Sequence, residues 1–354
     1  MYRILVINPG STSTKVAVFD DDQRLCGETI THSATELGDL DILDQIPLRR
    51  AALLGFLERK GIAIASLSAV VGRGGILPPV SSGAYLVDDA LLDALKYHST
   101  PHASNLGGIL AAEIAAQAGV NAYIYDSIAV DELDEMAHLS GTPLVRRTSH
   151  FHALNSRAMA IRYAQSQGRR YQDMNLIVAH MGGGISTSAH CHGRVVDITA
   201  DDEGTFSPTR AGRVHTRILV DLCFSGQYTR REMQTLLRGK GGLYAYLGTE
   251  DAREVERRIA AGDVEAETVY RAMAYQTAKD IGSLAAVLCG RVDAIILTGG
   301  IAYSALLTGW IRERVEFLAP VAVLPGEHEM EALSAGAIRV LRGEETAKHF
   351  VLHA

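Results

Sequence analysis

The chain repeats one pattern at an interval of 172 residues, close to half of its 354 residues. Each copy is an apolar run, a polar residue, a glycine turn and a restart rich in Ser and Thr, at residues 4–14 and again at 176–187. A second apolar run follows each copy, at residues 16–19 and 195–198. This spacing predicts two similar domains rather than an array of short repeats. Because no Pro-rich or low-complexity linker separates the halves, we expect them to pack closely with a cleft between them.

Short apolar runs that end in polar, glycine-rich turns are typical of buried strands. They occur at residues 4–7, 70–71, 122–125, 176–179 and 294–297. Two segments with helical periodicity stand out: one runs from about Ser104 to Gln117 and stops at Gly119, and the other opens near Asp263 and stops at Gly290. Strands that alternate with helices in this way predict an α/β architecture.

The charge balance argues against nucleic-acid or membrane partners. The chain has 34 Lys and Arg against 41 Asp and Glu, a formal charge of −7, whereas binding to polyanions depends on basic patches. No apolar stretch reaches the roughly 18 residues of a membrane span, and the apolar N-terminal run is too short for a signal peptide. The four cysteines are scattered and predict neither a disulfide framework nor a zinc site. We therefore expect a cytoplasmic protein.

The glycine turns that follow the strands suit phosphate binding, since glycine lets backbone N–H groups approach an anion closely. Neither common nucleotide fingerprint is present: residues 10–15 lack the second glycine of the P-loop, and residues 72–77 fail the dinucleotide pattern at its last position. One Gly-Gly turn alone is more often a tight hairpin. Three such turns, two of them in matching halves, favour a phosphate held between two hairpins.

Residues 4–15 and 179–186 resemble the two signature segments of the acetokinase family, closest to its butyrate kinase and branched-chain fatty acid kinase branch. Further matches lie at residues 72–75, 102–107, 206–212, 241–249, 297–300 and 325–327. The resemblance runs from about residue 3 to residue 345. It implies the duplicated ribonuclease-H-like fold of sugar kinases, actin and heat-shock chaperone ATPases, with residues 1–152 plus about 330–354 in the first domain and 153–329 in the second.

The family reaction implies Mg²⁺ and ATP as a substrate: ATP phosphorylates a short-chain carboxylate reversibly, here butanoate to butanoyl phosphate. We expect in-line transfer without an obligatory covalent enzyme intermediate. The same reaction on isobutyrate and other branched acids, propionate or acetate is an alternative, because one methylene in an apolar pocket is worth only about 1–3 kcal/mol. A nucleotide-switched binding protein of the same superfamily is a more remote alternative. A dinucleotide-binding oxidoreductase is a further alternative, but this chain lacks the glycine fingerprint of that class.

The resemblance also implies roles for individual residues. Arg73 matches the arginine that binds the substrate carboxylate, a task that suits a fork-shaped guanidinium. Arg210 matches the arginine that stabilises the transferring phosphoryl group. Asp126 matches an active-site aspartate, and His180 the histidine at the nucleotide-phosphate hairpin. The alternatives from the residues alone are surface arginines, a helix N-cap for Asp126 and a structural histidine at a strand end.

The remaining assignments concern the nucleotide and the metal. The nucleotide-binding candidates are Lys15, His180, Gly182, Gly183, Gly184, Gly299 and Gly300. Lys15 is equally well explained as a lysine on the surface of a hairpin. Asn8 and Glu329 are the candidates for the Mg²⁺ environment, although spacing alone does not choose among Glu327, Glu329 and Glu331.

Two histidine patterns need a separate interpretation. His150 matches the family's Thr-Ser-His segment, but Arg146 stands where acetate kinases have a further histidine, so either Arg146 supplies that charge or the role is dispensable. The His190-Cys191-His192 run predicts the tip of a hairpin rather than a metal site, because alternate residues of a strand point to opposite faces. Family members are usually dimers or larger homo-oligomers, and the apolar helix around residues 272–288 could form an interface or an internal core.

Overall fold

The computed structural model describes residues 1–38, 40–97, 101–200 and 202–352. The chain divides into two compact units: unit 1 consists of Met1–Asp131 and the stretch from His328 onward, and unit 2 of Glu132–Glu327. From the sequence we expect a first domain of residues 1–152 plus about 330–354 and a second domain of residues 153–329. The observed first boundary lies earlier in the chain, after Asp131. Residues 353–354 lie outside the described residues.

Strands and helices alternate along the described chain. The strands are β1 (Arg3–Pro9), β2 (Ser13–Asp20), β3 (Gln23–Thr31), β4 (Ala69–Arg73), β5 (Ala84–Leu86), β6 (Asn121–Tyr125), β7 (Asn175–Met181), β8 (Ile185–Cys191), β9 (Arg194–Ala200), β10 (Ala294–Gly299) and β11 (Val321–Pro325). The helices are α1 (Ala34–Leu37), α2 (Ile46–Arg59), α3 (Asp89–Tyr97), α4 (Leu106–Ala118), α5 (Ala153–Ser166), α6 (Thr216–Phe224), α7 (Arg230–Leu237), α8 (Gly242–Leu247), α9 (Ala252–Ala260), α10 (Val264–Val287), α11 (Ala305–Val315) and α12 (Glu329–Leu341). Short 3₁₀ turns lie at Leu43–Gln45, Ile64–Ser66, Ala103–Asn105, Glu135–His138, Tyr171–Asp173 and Gly300–Tyr303.

The two sheets share one topology. In unit 1 the strand order is β3-β2-β1-β4-β6-β5, with β1 antiparallel to β2 and parallel to β4. In unit 2 the order β9-β8-β7-β10-β11 repeats the first five positions with the same strand directions. Even the bulges correspond, at Val18/Phe19 in β2 and Ala189/His190 in β8. The predicted duplicated α/β fold is therefore confirmed.

One part of the repeat was assigned wrongly from the sequence. The apolar run 195–198 lies in β9, the third strand of unit 2, whereas the counterpart of β2 is β8. β8 has the sequence ISTSAHC, and its Ser186, Thr187, Ser188 and His190 are at most 2% exposed. Because the buried residues of this strand are mostly polar, an apolar pattern could not reveal it.

Both predicted helices are confirmed. The first begins as a 3₁₀ turn at Ala103–Asn105, continues as α4 and ends at Gly119, which has a φ of 70°. The second is α10, whose Asp263 side chain accepts a hydrogen bond from the N–H of Ala266. Within the described ranges no helix is both long and apolar enough to cross a membrane.

The His190-Cys191-His192 run does form the tip of a hairpin: His192 has a φ of 48° in the turn between β8 and β9. His190 is fully buried and lies 2.7 Å from the Tyr171 hydroxyl and 2.9 Å from the Ser188 hydroxyl. Burial, with a smaller effect from Arg157, lowers the pKa of His190 to about 3. The described residues contain no group of three His, Cys, Asp or Glu that could hold a metal ion.

We expect His190 to make the protein sensitive to acid. Its pKa lies below the ordinary value near 6.5, so between about pH 6.5 and 3 the unfolded chain binds a proton that the folded chain excludes. Stability therefore falls as the pH falls through this window, by at most about 1.4 kcal/mol per pH unit. In urea unfolding between about pH 7 and 5, His190→Asn should make the free energy of unfolding depend less steeply on pH, whatever the effect of the substitution on stability at pH 8.

The matched control is His192→Asn, because His192 is exposed on the same hairpin and Asn tolerates its left-handed backbone. Its slope should remain that of the unsubstituted protein. Parallel slopes for all three proteins would contradict the assigned effect of His190.

Candidate active site

Unit 1 brings Asn8, Arg73 and Glu329 together, and we call them the Asn8–Arg73–Glu329 cluster. Asn8 stands near the end of β1, and its Nδ2 donates to Glu329 Oε2 at 2.7 Å. Arg73 ends β4, and its Nη1 donates to the same carboxylate oxygen at 3.3 Å and to Asn8 Oδ1 at 3.4 Å. The ends of two parallel neighbouring strands meet here because both chains leave the sheet at the same edge.

The glycines around Arg73 fix where it leaves the sheet. A Cβ on Gly72 would collide with the backbone of Gly107 at the start of α4, and a Cβ on Gly107 would collide with the backbone of Arg73. On the other side, the Ser127 hydroxyl donates to the Gly75 carbonyl at 2.6 Å. Only a chain without side chains at these positions lets strand and helix approach so closely. The Arg73 side chain extends from this fixed point and is 32% exposed.

Asp126 follows β6 in a conformation that is unusual for a residue with a side chain. Its φ is 41°, it is 4% exposed, and its Oδ1 accepts a hydrogen bond from Gly83 N at 2.7 Å. It does not cap a helix, since the next helical turn begins at Glu135. A left-handed backbone costs about 1–2 kcal/mol, so the surrounding contacts hold this carboxylate in place. Its neighbour Ser127 contacts the loop of Arg73.

The structure separates the three C-terminal glutamates. Glu329 belongs to the Asn8–Arg73–Glu329 cluster, Glu331 lies 3.8 Å from Arg24 at the surface, and Glu327 lines a pocket of unit 2. Among the described residues, Glu329 Oε1 makes no hydrogen bond. Mg²⁺ prefers oxygen ligands and is often held by one or two carboxylates plus phosphate and water. A carboxylate with a free oxygen beside an amide fits that requirement.

Lys15 lies directly opposite Asn8 in the β1–β2 pair. Residues that face each other in an antiparallel pair share one side of the sheet, and the Lys15 side chain is exposed. This position is compatible with a contact to a phosphate and also with a lysine on the surface of a hairpin.

In unit 2, His180 stands near the end of β7 and is 3% exposed. Asn155 Nδ2 lies 2.8 Å from His180 Nδ1 and 3.3 Å from Thr298 Oγ1. With the Asn155 amide in this orientation, Nδ1 accepts the hydrogen bond and Nε2 carries the proton. Nε2 faces the turn of the hairpin, since a Cβ on Gly182 would lie 3.3 Å from it.

The sequence did not reveal His152, which stacks on His180. The two ring centroids are 4.0 Å apart and the planes differ by 14°. His152 Nδ1 lies 2.8 Å from the Ser186 hydroxyl of β8. No sequence pattern marks this residue, and the Thr-Ser-His match draws attention to His150 instead, which lies at the surface 2.9 Å from the Thr148 hydroxyl.

The hairpin between β7 and β8 is held by hydroxyl groups. The Gly183 carbonyl accepts hydrogen bonds from Ser207 Oγ at 2.8 Å and from Thr209 Oγ1 at 3.4 Å. The guanidinium of Arg210 lies against Gly184. The two groups are so close that a Cβ on that glycine would come 2.5 Å from Arg210 Cζ. The sequence placed Arg210 and the glycine turn in separate motifs, and the fold brings them into contact.

Asp280 of α10 holds the start of the segment that carries Arg210. Its Oδ2 accepts a hydrogen bond from Thr205 N at 2.7 Å, and its Oδ1 accepts one from Arg213 Nη2 at 2.8 Å. Burial raises the pKa of the Asp280 carboxyl, and the bond from Arg213 opposes that rise. This carboxylate is therefore a structural support of the loop.

A pocket of about 860 Å³ opens beside this hairpin. Its wall includes the predicted glycines Gly182, Gly183 and Gly300, together with Glu327 and an acidic rim of Glu250, Asp251 and Glu256. Gly299 has a φ of 90° and packs against the Met181 backbone, where a side chain would collide. A concave site of this volume suits a ligand as large as a nucleotide.

Arg146, which occupies the position of the acetate kinase histidine, lies on an exposed segment of unit 2. Its guanidinium donates to both carboxylate oxygens of Glu135, at 3.0 and 3.1 Å. An ion pair as exposed as this one contributes little to stability.

Comparisons with known proteins agree with this fold. The model of the acetokinase family matches residues 135–332. A Clostridium botulinum (strain Alaska E43 / Type E3) protein named "Probable butyrate kinase" is 50% identical over 351 residues, 98% of this chain and 99% of that protein. Porphyromonas gingivalis acetate kinase superposes with a TM-score of 0.81 at 19% identity, over 96% of this chain and 99% of that one. A propionate kinase from Francisella tularensis subsp. tularensis SCHU S4 gives 0.74 at 18% identity, over 95% and 99%. The two solved structures support the fold alone.

We expect the stacked ring of His152 to position His180. His152→Phe keeps a ring over His180 and loses the bond to Ser186, whereas His152→Asn keeps an amide for Ser186 and loses the ring. If stacking positions His180, the Asn variant should lose at least about tenfold in kcat, while the Phe variant stays within about threefold, because small displacements of a positioning group are costly. Steady-state kinetics with ATP distinguish the two variants. An equal loss in both would contradict the stacking role, and His192→Asn is the control.

Proposed function

This chain belongs to the acetokinase family and to its butyrate kinase branch, and on that premise we propose that it catalyses the reversible reaction butanoate + ATP = butanoyl phosphate + ADP. The observation that carries the proposal within the site is the contact of the Arg210 guanidinium with Gly184, since the preceding residues Gly183 and Thr209 line the 860 Å³ pocket. A cation at a glycine hairpin beside a nucleotide-sized pocket is the arrangement that phosphoryl transfer requires.

We assign the nucleotide to the pocket of unit 2. Gly183 and Gly300 are exposed along its wall, whereas Gly182 is buried and its N–H donates to the Gly184 carbonyl at 2.9 Å. His180 offers an Nε2 proton to a phosphate oxygen at the turn. Asn8 and Glu329 would hold the Mg²⁺, which neutralises phosphate charge when bound. Lys15, on the same side of the sheet as Asn8, is the proposed further contact to phosphate.

Arg73 binds the carboxylate in this proposal. Its hydrogen bonds within the described residues all come from Nη1. The edge formed by Nε and Nη2 therefore remains available for a bidentate pair with a carboxylate, which is the geometry that a guanidinium fork prefers. Asp126 is the proposed active-site aspartate of unit 1. Arg210 is proposed to stabilise negative charge on the phosphoryl group while it is transferred in line from ATP to the carboxylate oxygen.

The substrate is tested by trapping acyl phosphate with hydroxylamine in the presence of Mg-ATP. The panel comprises acetate, propionate, butyrate, isobutyrate and valerate. We expect most product with butyrate. Most product with isobutyrate or acetate would keep the carboxylate kinase and change the substrate, whereas no product from a folded protein that binds ATP would favour a nucleotide-switched binding protein.

Arg210→Ala should lower kcat by about 10²-fold or more, because loss of a cation that acts in the transition state has effects of this size. The coupled assay of ADP release measures it. Arg312→Ala, an exposed position on α11, is the matched control. A kcat for Arg210→Ala within a few-fold of the unsubstituted enzyme would show that the assigned role is wrong.

We also propose that the chain assembles as a homodimer or larger homo-oligomer in the cytoplasm. Helix α6 has no buried residue, although its Ile218, Val220 and Phe224 are 56%, 49% and 87% exposed. Val220 and Phe224 are four residues apart and therefore lie on the same side of the helix. Exposed apolar side chains grouped in this way are typical of an interaction surface, and we assign a second copy of the chain as its occupant. Sedimentation should give a dimer or larger species that Phe224→Glu dissociates, and a monomer at all concentrations would contradict the assignment.

A further inference from the structure

Arg49 of α2 is a buried cation that the proposed mechanism does not use. The side chain has no exposed area, and each of its five N–H donors makes one hydrogen bond. Nε and Nη2 donate to Gln45 Oε1 at 3.1 and 2.9 Å, Nη1 donates to the Ser13 carbonyl at 3.0 Å and to Thr14 Oγ1 at 2.9 Å, and Nη2 donates to the Ser11 carbonyl at 3.0 Å.

All of these partners are neutral. Within the described residues Arg49 has no carboxylate partner, and burial lowers the pKa of its guanidinium, yet an arginine keeps its proton in proteins. An uncompensated buried charge is costly to maintain. Its positive potential extends to the chain segment that it contacts, which is the hairpin between β1 and β2.

Arg49 also determines which way the peptide groups of that hairpin point. It draws the carbonyls of Ser11 and Ser13 inward, and the N–H of His32 donates to the Thr12 carbonyl at 2.9 Å. In a trans peptide the N–H points opposite to the preceding carbonyl. The inward Ser11 carbonyl therefore directs the N–H of Thr12 outward.

The N–H groups of Ser11 and Thr12 are available to a ligand. Ser11 and Thr12 are exposed, and their N–H groups make no hydrogen bond to any described residue. Successive free N–H groups in a turn form a concave site for an anion. A buried cation beneath such a turn strengthens its attraction for negative charge.

We propose that Arg49 is a positioning residue of the kinase: from inside unit 1 it holds the β1–β2 hairpin open for a phosphoryl group and supplies positive charge there without touching the ligand. This inference rests on the proposed function, because it assigns the phosphoryl group of that reaction to the hairpin. It separates two tasks in unit 1, since Arg73 binds the carboxylate and the hairpin binds the phosphoryl group.

The test compares Arg49→Met and Arg49→Lys with Arg50→Met. Arg50 is the next residue of the same helix, is partly exposed and pairs with Glu113, so its variant controls for the loss of an arginine from α2. We expect Arg49→Met to lower kcat and to raise the KM for butyryl phosphate, each by at least about tenfold. The KM for butyrate should stay within about threefold. Arg49→Lys should be intermediate, because it keeps the charge and loses the fork.

Binding of inorganic phosphate tests the same idea without turnover. Phosphate should raise the melting temperature of the unsubstituted protein and of Arg50→Met, and much less that of Arg49→Met. This measurement keeps the proposal separate from the proposed function: if no carboxylate is phosphorylated but the phosphate effect depends on Arg49, the function fails and the hairpin assignment stands. Phosphate stabilisation that is absent from the unsubstituted protein, or equal in all variants, would overturn the assignment.

Thr14→Val provides a milder change in case Arg49→Met does not fold. It removes one of the bonds between the hairpin and Arg49, and the contact of Thr14 Oγ1 with His32 Nε2 at 2.9 Å, while leaving the charge in place. Adenosine, which we assign to the pocket of unit 2, serves as the fold check in a thermal-shift assay. A folded Thr14→Val protein should show a raised KM for butyryl phosphate with an unchanged KM for butyrate, and equal changes in both would contradict the positioning role.

Discussion

The backbone contact between the end of β4 and the start of α4 is the constraint on which the polar groups of unit 1 depend. Gly72 and Gly107 approach so closely that neither can carry a side chain. The direction in which Arg73 leaves the sheet is therefore set by backbone contacts and does not depend on side-chain rotamers. Unit 2 uses the same device where Gly299 packs against Met181. Gly72, Gly107 and Gly299 thus lie where one backbone must pass another closely.

The two hairpins show how a duplicated fold diverges. In each of them, side chains donate hydrogen bonds to carbonyls of the turn. In unit 1 the holder is the buried charge of Arg49, whereas in unit 2 the hydroxyls of Ser207 and Thr209 bind the Gly183 carbonyl. Register also differs, because Pro9 faces Thr14 while Met181 faces Ile185, which makes the second hairpin one residue shorter. Identical topology therefore does not imply identical electrostatics.

The sequence predicted those features that local patterns encode. The apolar strands, the helices that end shortly before Gly119 and Gly290, and the family follow from periodicity, glycine placement and long motifs. The sequence did not reveal β8, because most of its buried residues are polar. The sequence did not single out His152 and Arg49 either. Their proposed roles arise from stacking and from burial, which depend on contacts between residues far apart in the chain. The choice among Glu327, Glu329 and Glu331 likewise needed the fold, since three neighbouring carboxylates have the same local chemistry and different partners.

The division of unit 1 into two stretches has a consequence for biosynthesis. Its first stretch ends at Asp131, yet α12, whose Gly336 packs on the Tyr125 ring and whose Glu329 binds Asn8, comes after the whole of unit 2. At about 5–20 residues per second, a ribosome needs roughly 10 to 40 s to translate the residues in between. During that interval the sheet of unit 1 lacks a helix that covers it, while unit 2 is continuous and can fold as soon as it emerges. The nascent chain therefore exposes the apolar face of its first sheet until its last helix is made, and this is the stage at which chaperones would have most to protect.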